Sequence, residues 1–230
     1  MLVWDLPLRL FHWLLVVAVA GSWLTYELGV DYFRWHAWFG YAAVVLVCFR
    51  VAWGFVGPRH ARFASFVRGA GAIGRYTRAL FRGGAGATGG LRTPGHNPLG
   101  ALMVLALLAL VGTIGVTGLF ANDEIFSTGP LYGHVSDETS DVLSRLHRDL
   151  CEVLWIAIGL HLLAIAGYWL VKRDNLVLPM ITGRKPDAHH PPDEAIAGSR
   201  VWLALFLAAI LAGGLYLLVI TAPTPSQFLF

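Results

Sequence analysis

Four histidines lie within or at the edges of long apolar stretches of this 230-residue chain: His12, His36, His147 and His161. An imidazole in hydrocarbon is costly without a partner, so intramembrane histidines face the protein interior and mark a site. Each ring also offers a nitrogen to a metal. His147 and His161 share one apolar stretch, Leu146–Trp169, at a spacing of fourteen. On a helix that spacing advances about 21 Å and returns to within about 40° of the same face. Two imidazoles thus point the same way near opposite ends of one rod, which suggests two stacked sites.

The elements that would carry these rings are five apolar runs: Leu10–Gly29, Trp35–Phe55, Leu99–Phe120, Val153–Val171 and Val201–Thr221. Each has about the twenty residues a helix needs to cross the hydrocarbon. The chain is 57% hydrophobic and 13% charged, with a mean hydropathy of +0.63. That composition belongs to an integral membrane protein rather than a soluble domain. The first run contains His12 and Trp13 and lacks a small-residue cleavage pattern after it, so it reads as a retained span rather than a signal peptide. Cys48 and Cys151 fall within or beside spans and do not suggest a disulfide framework.

Lys and Arg set the expected orientation. Pro58–Pro98 carries Arg59, Arg62, Arg68, Arg75, Arg78, Arg82 and Arg92 without an acid, and the fourth-to-fifth connection adds Lys172, Arg173, Arg184, Lys185 and Arg200. Ala121–Ser144 carries Asp123, Glu124, Asp137, Glu138 and Asp141 without Lys or Arg. The N-terminus and the basic loops are therefore expected in the cytoplasm, and the acidic loop and C-terminus in the periplasm, of a multi-pass protein of a bacterial inner membrane. The net charge of +3 comes from these loops and not from a nucleic-acid-binding stripe, so no nucleic-acid partner is expected.

Within the basic loop, Ala61–Arg82 sets Phe63, Phe66, Val67, Ile73, Tyr76, Leu80 and Phe81 among arginines, the pattern of an amphipathic helix lying on anionic lipid. Gly83–Gly95 reads as a flexible link, with no phosphate-cradling context around its glycines. Trp4, Trp13, Trp23, Trp35, Trp53 and Trp169 read as interfacial anchors. His60, His96, His134, His189 and His190 are expected to be solvated or headgroup-facing, and the pair His189–His190 lacks a further metal ligand at helical spacing.

Alternating helix directions then pair the four intramembrane histidines by depth, His36 with His147 at the outer level and His12 with His161 at the inner. A b-type haem takes one axial nitrogen from each side. A structural zinc wants four ligands around one point, and each level offers two. Hydrogen bonding between helices without a cofactor is the remaining reading. Gly21, Gly40, Gly112, Gly115, Gly118 and Gly159 either open space beside a macrocycle or let helices approach closely. Arg50, fourteen residues after His36, is a candidate for a propionate of the inner haem, as is Arg9, with snorkelling to headgroups as the alternative. Arg34 and Arg148, flanking the outer histidines, are candidates at the outer haem.

Several motifs bear on family: Val3-Trp-Asp-Leu-Pro-Leu-Arg-Leu-Phe-His-Trp13, Trp35-His-Ala-Trp-Phe-Gly-Tyr41, Phe49-Arg-Val-Ala-Trp-Gly-Phe-Val-Gly-Pro58 and Gly95-His-Asn-Pro-Leu-Gly-Ala101. They continue through Leu146-His147, Gly159-Leu-His161 and Val171-Lys-Arg-Asp-Asn-Leu-Val-Leu-Pro-Met180. Over roughly residues 1–185 the chain resembles the bacterial cytochrome b561 and nickel-iron hydrogenase b-type cytochrome family. The resemblance implies an all-α four-helix transmembrane bundle with two b haems, ligated at the positions of His12, His36, His147 and His161, that exchanges electrons with quinone. The expected organisation is a haem-binding domain over 1–185 with its basic loop 58–98, a polar linker 186–200, and a fifth transmembrane helix with a short tail over 201–230. That fifth helix departs from the family pattern, and Ala204, Ala208 and Ala212 suggest a packing face on it.

Three functions compete at this level. The first is transmembrane electron transfer between a periplasmic c-type cytochrome or hydrogenase subunit and membrane quinone, in a direction set by the haem potentials. The acidic outer loop would suit a basic partner. The second is a self-sufficient superoxide:ubiquinone oxidoreductase of the same fold, guided by Arg34, Arg145 and Arg148. The third is a non-redox metal transporter or assembly anchor, which an absorption spectrum without Soret and α bands would identify.

Overall fold

The computed structural model describes residues 1–81, 95–123, 127–185 and 195–222. Among these residues the structure is all helical, with no strand and two isolated β-bridges, Leu2 to Arg184 and Asn122 to Thr128. The helices are α1 (Leu6–Glu27), α2 (Phe33–Val56), α3 (Phe63–Phe66), α4 (Ala70–Phe81), α5 (Pro98–Phe120), α6 (Asp137–Lys172), α7 (Val177–Thr182) and α8 (Val201–Thr221). Five of them, α1, α2, α5, α6 and α8, are long and apolar enough to cross a membrane. In lipid a helix satisfies its backbone groups within its own segment, and so these apolar runs are helical throughout.

The helix ends follow from local chemistry. Asp5 caps α1, its Oδ1 accepting from the Leu8 amide at 3.0 Å. Asn97 caps α5 in the same way, accepting from the Gly100 amide at 2.8 Å, and Pro98 fills the first helical position. At the end of α7, Gly183 takes φ +79°, and a Cβ there would lie 2.6 Å from the Trp4 carbonyl.

Two elements differ from expectation. α6 starts at Asp137, well before the apolar run that begins at Val153. Its polar first half is tied down instead of buried in lipid: Ser140 Oγ donates to the Phe120 carbonyl at 2.7 Å, and the Asn122 amide donates to Ser144 Oγ at 2.8 Å. The single surface helix expected over Ala61–Arg82 is broken between Phe66 and Ala70. Phe66 is buried, and the Phe63 ring packs on α2 where Gly54 leaves room, since a Cβ at Gly54 would come within 2.1 Å of it. Burying Phe66 and packing Phe63 on α2 turns α3 inward, and α4 alone keeps the amphipathic pattern. Tyr76 of α4 is joined to Tyr168 of α6 through their hydroxyls, and Asn97 Nδ2 donates to Tyr168 at 2.8 Å.

The chain forms two compact units. The first comprises Met1–Leu10, Arg50–Leu107 and Gly159–Ala204; the second comprises Phe11–Phe49, Leu108–Ile158 and Leu205–Phe230. In the first, the N-terminal segment is stitched to the chain after α7. The Val3 and Trp4 amides donate to the Gly183 carbonyl at 2.9 and 3.1 Å, and the Lys185 amide donates to the Met1 carbonyl at 3.0 Å. In the second, glycines bring helices together: a Cβ at Gly21 would strike Phe39 at 2.7 Å, and one at Gly115 would strike Val44 at 2.5 Å. Trp23 and Trp155 pack edge to face, 5.2 Å between centroids. The link Gly83–Gly95, apart from Gly95, lies outside the described residues, as do His189, His190 and linker positions 186–194.

Candidate functional site

In the second unit α2 and α6 bring His36 and His147 together, ring centroids 6.2 Å apart and planes 78° apart. The His36 Nδ1 lies 2.9 Å from the Ser22 carbonyl and 3.0 Å from the Ser22 hydroxyl. The His147 Nδ1 lies 2.9 Å from the Ile114 carbonyl, with Thr117 Oγ1 at 3.5 Å. A carbonyl can only accept, so each Nδ1 carries the proton and donates, which leaves each Nε2 a bare lone pair. This is the arrangement that orients metal-binding histidines and raises their basicity. The rings are further set in place by their neighbours. Phe33 stacks on His36 at 5.5 Å, and Gly118 lies against His147, where a Cβ would sit 3.0 Å from the ring.

The pair fits a metal ion held between the two rings. Imidazole nitrogens lie about 2 Å from a bound metal, so two such bonds plus the ring radii give a centroid separation of about 6 Å, close to that observed. No group of three or more His, Cys, Asp or Glu able to hold a metal occurs among the described residues. Two imidazoles suit an ion whose equatorial ligands come from elsewhere, as in a porphyrin.

His12 sits on α1 in the second unit, edge-on to Trp13 at 5.0 Å and 89°. His161 sits on α6 in the first unit. Both are half-buried. A Cβ at Gly159 or Gly40 would meet nothing within 4 Å, whereas Gly21, Gly112 and Gly115 are used for packing against Phe39, Val47 and Val44.

Arg50 anchors a polar cluster in the first unit that the sequence shows only in part. It is 1% exposed and stacks over Phe63 and Phe66, 4.9 and 5.8 Å from guanidinium carbon to ring centroid. Its Nη1 and Nη2 are buried without a hydrogen-bond partner, a donor set suited to a carboxylate. Asp5, fully buried, accepts from the Trp53 indole at 3.0 Å through the oxygen that caps α1. Burial pushes its carboxyl above the usual range, opposed by the Leu8 amide, the Trp53 indole and the Arg50 charge. Arg9 donates to the Ile181 carbonyl and keeps a buried Nε without a hydrogen-bond partner. Arg34 and Arg148 are exposed.

Two loop histidines differ from expectation. His60 is 5% exposed, and His96 packs between Trp4 and Phe66, each 4.7 Å away by ring centroids. Burial, with Arg50, Lys185 and His60 adding to it, pushes the His96 pKa down to about 3. Trp4 and Phe66 reach the His96 ring from distant parts of the chain, which loop composition alone does not reveal. His134 is exposed, as expected. Of the other supporting groups, only the Asp5 cap has a sequence signal, an acid two residues before Pro7 at the start of an apolar run. Ser22 and the Ile114 carbonyl have none.

Five membrane-length helices, with an imidazole pair between two of them, define the class of the protein: a multi-pass helical membrane protein. The chain belongs to the prokaryotic cytochrome b561 family, whose family model matches residues 3–183. The family binds b-type haems, generally two, and transfers electrons across membranes. The match takes in α1 to α7 and leaves α8 outside it. No curated protein and no solved structure matches the chain.

Proposed function

We propose that this cytochrome carries electrons across a bacterial inner membrane between a periplasmic redox partner, a c-type cytochrome or hydrogenase subunit, and the quinone pool. One b haem is assigned to His36 and His147, and the second, on sequence depth alone, to His12 and His161. The observation that carries the reading is the His36–His147 pair, with both Nδ1 atoms donating to backbone carbonyls. Haem iron supplies one-electron exchange when bound. The carbonyls of Ser22 and Ile114 hold the ring orientation and raise ligand basicity. Arg50 offers two buried, unbonded nitrogens to a propionate, with Arg9 as a second donor. The arginines of 58–98 and the acids of 121–144 support a cytoplasmic N-terminus, a periplasmic acidic loop and a periplasmic C-terminus.

The test is haem stoichiometry. Purified protein should carry two b haems per chain, and His36→Ala and His147→Ala should each remove the same one, read from potentiometric titration of the α band. His12→Ala and His161→Ala should remove the other. A colourless protein, or one haem per chain, defeats the reading.

A second reading draws on Arg34, Arg145 and Arg148, all exposed in the unit that holds His36 and His147. They would attract superoxide to a self-sufficient superoxide:ubiquinone oxidoreductase. Quinone reduction by superoxide with purified protein alone selects this reading; dependence on a protein donor selects the first.

A further inference from the structure

Two threonines beside the histidine pair hold the same place on two different helices of the second unit. Thr25 of α1 and Thr117 of α5 are buried, 9% and 3% exposed. Each hydroxyl turns back on its own helix. Thr25 Oγ1 donates to the Gly21 carbonyl at 2.6 Å and the Ser22 carbonyl at 3.1 Å, and Thr117 Oγ1 donates to the Thr113 carbonyl at 2.8 Å and the Ile114 carbonyl at 3.0 Å. Helical threonines commonly bond back in this way. What is particular here is the acceptor three residues before each threonine: the Ser22 and Ile114 carbonyls are the two that take the Nδ1 protons of His36 and His147, each at 2.9 Å.

Each of these carbonyls is therefore shared. A carbonyl oxygen has two lone pairs, and inside a helix it also accepts from the amide four residues on. Three donors converge on two lone pairs, and each draws electron density from the same oxygen. The bond to the histidine is weaker than it would be without the hydroxyl. The amide belongs to the backbone, so the threonine is the competitor that side-chain chemistry can set. Thr117 Oγ1 also lies 3.5 Å from His147 Nδ1, at the limit of a hydrogen bond, and the carbonyl at 2.9 Å remains the main acceptor. Ser22 Oγ has the opposite part, lying 3.0 Å from His36 Nδ1 as a second acceptor.

The strength of the Nδ1 bond sets how basic the imidazole is at its other nitrogen, and hydrogen bonding behind the axial ligands is one of the protein's levers on haem potential. We propose that Thr25 and Thr117 are positioning residues that tune the haem assigned to His36 and His147, each drawing on the carbonyl that holds its histidine and so keeping the potential of that haem above the value the imidazole pair would give alone. The inference rests on that haem assignment. Both threonines act through the carbonyls of Ser22 and Ile114, and the same device stands behind both histidines.

Thr25→Val and Thr117→Val remove the hydroxyl and keep the side-chain shape. In redox titration of the purified full chain, the reduction equilibrium constant of the haem that His36→Ala removes should fall about threefold in each variant, the worth of one modest hydrogen bond, which is about 28 mV at about 59 mV per tenfold for one electron. Thr25→Val/Thr117→Val should lower it further, and the other haem should keep its potential. Thr25→Ser and Thr117→Ser retain the hydroxyl and should keep the wild-type potential, even where the lost methyl group lowers the melting temperature. An unchanged or raised potential in the valine variants, an equal shift at both haems, a serine shift as large as that of valine, or loss of the haem from a valine variant overturns the proposal. A protein from which His36→Ala removes no haem overturns the haem assignment itself, a result obtained before any threonine is changed.

Discussion

Ser22 of α1 receives the Nδ1 proton of His36 on α2, the ring nitrogen 2.9 Å from its carbonyl and 3.0 Å from its hydroxyl. The backbone acceptor survives any substitution at Ser22, whereas the hydroxyl does not. Ser22→Ala should therefore keep haem at the His36 level while reducing electron donation from the imidazole, so that the midpoint potential of that haem rises and the other stays put. Redox titration of the two haems checks this. Equal shifts of both potentials, or none, contradict it.

Gly118 and Gly40 give a paired test of space. A Cβ at Gly118 would sit 3.0 Å from His147 Cε1, and one at Gly40 would meet nothing within 4 Å. Gly118→Ala should displace the ring and alter the absorption and potential of the haem assigned to His36 and His147. Gly40→Ala should leave both unchanged and lower the melting temperature by no more than a degree or two.

The Asp5 carboxylate caps α1 and accepts from Trp53 with one oxygen. Asp5→Ala should cost about 1 kcal/mol for the lost cap, and about 1–3 kcal/mol more for leaving the buried indole N–H unsatisfied. Asp5→Asn keeps an acceptor at the same place and should cost less. Thermal melting of the purified protein measures both, and equal losses would show that the negative charge beside Arg50, rather than the acceptor, matters most.

His96 makes a prediction about acid. Its folded pKa of about 3 lies below the ordinary value of 6.5, so the folded chain binds fewer protons than the unfolded one once the pH falls below about 6.5. Stability from this residue is complete above that value and declines toward pH 3. Arg50, Lys185 and His60 face the ring and oppose its protonation. The melting temperature should fall between pH 7.5 and pH 5, and the fall should shrink in His96→Phe, which keeps the packing against Trp4 and Phe66. An unchanged slope in the variant would assign the acid sensitivity to other groups.

Much of this molecule is local, and so was open to reading along the chain. Twenty apolar residues make a span wherever they stand, the caps at Asp5 and Asn97 act over three positions, and four imidazoles inside such spans announce a site. The motifs that carry the family resemblance are short and contiguous for the same reason. What the tertiary structure alone decided is which groups meet from distant parts of the chain. Nothing in the spacing from Ser22 to His36, or from Ile114 to His147, says that two carbonyls will take the Nδ1 protons, because helix rotation and depth come from packing at places such as Gly21 and Gly115. The same holds for the burial of Phe66, His60 and Arg50. Hydropathy records how polar a residue is, whereas burial depends on what the rest of the chain places over it.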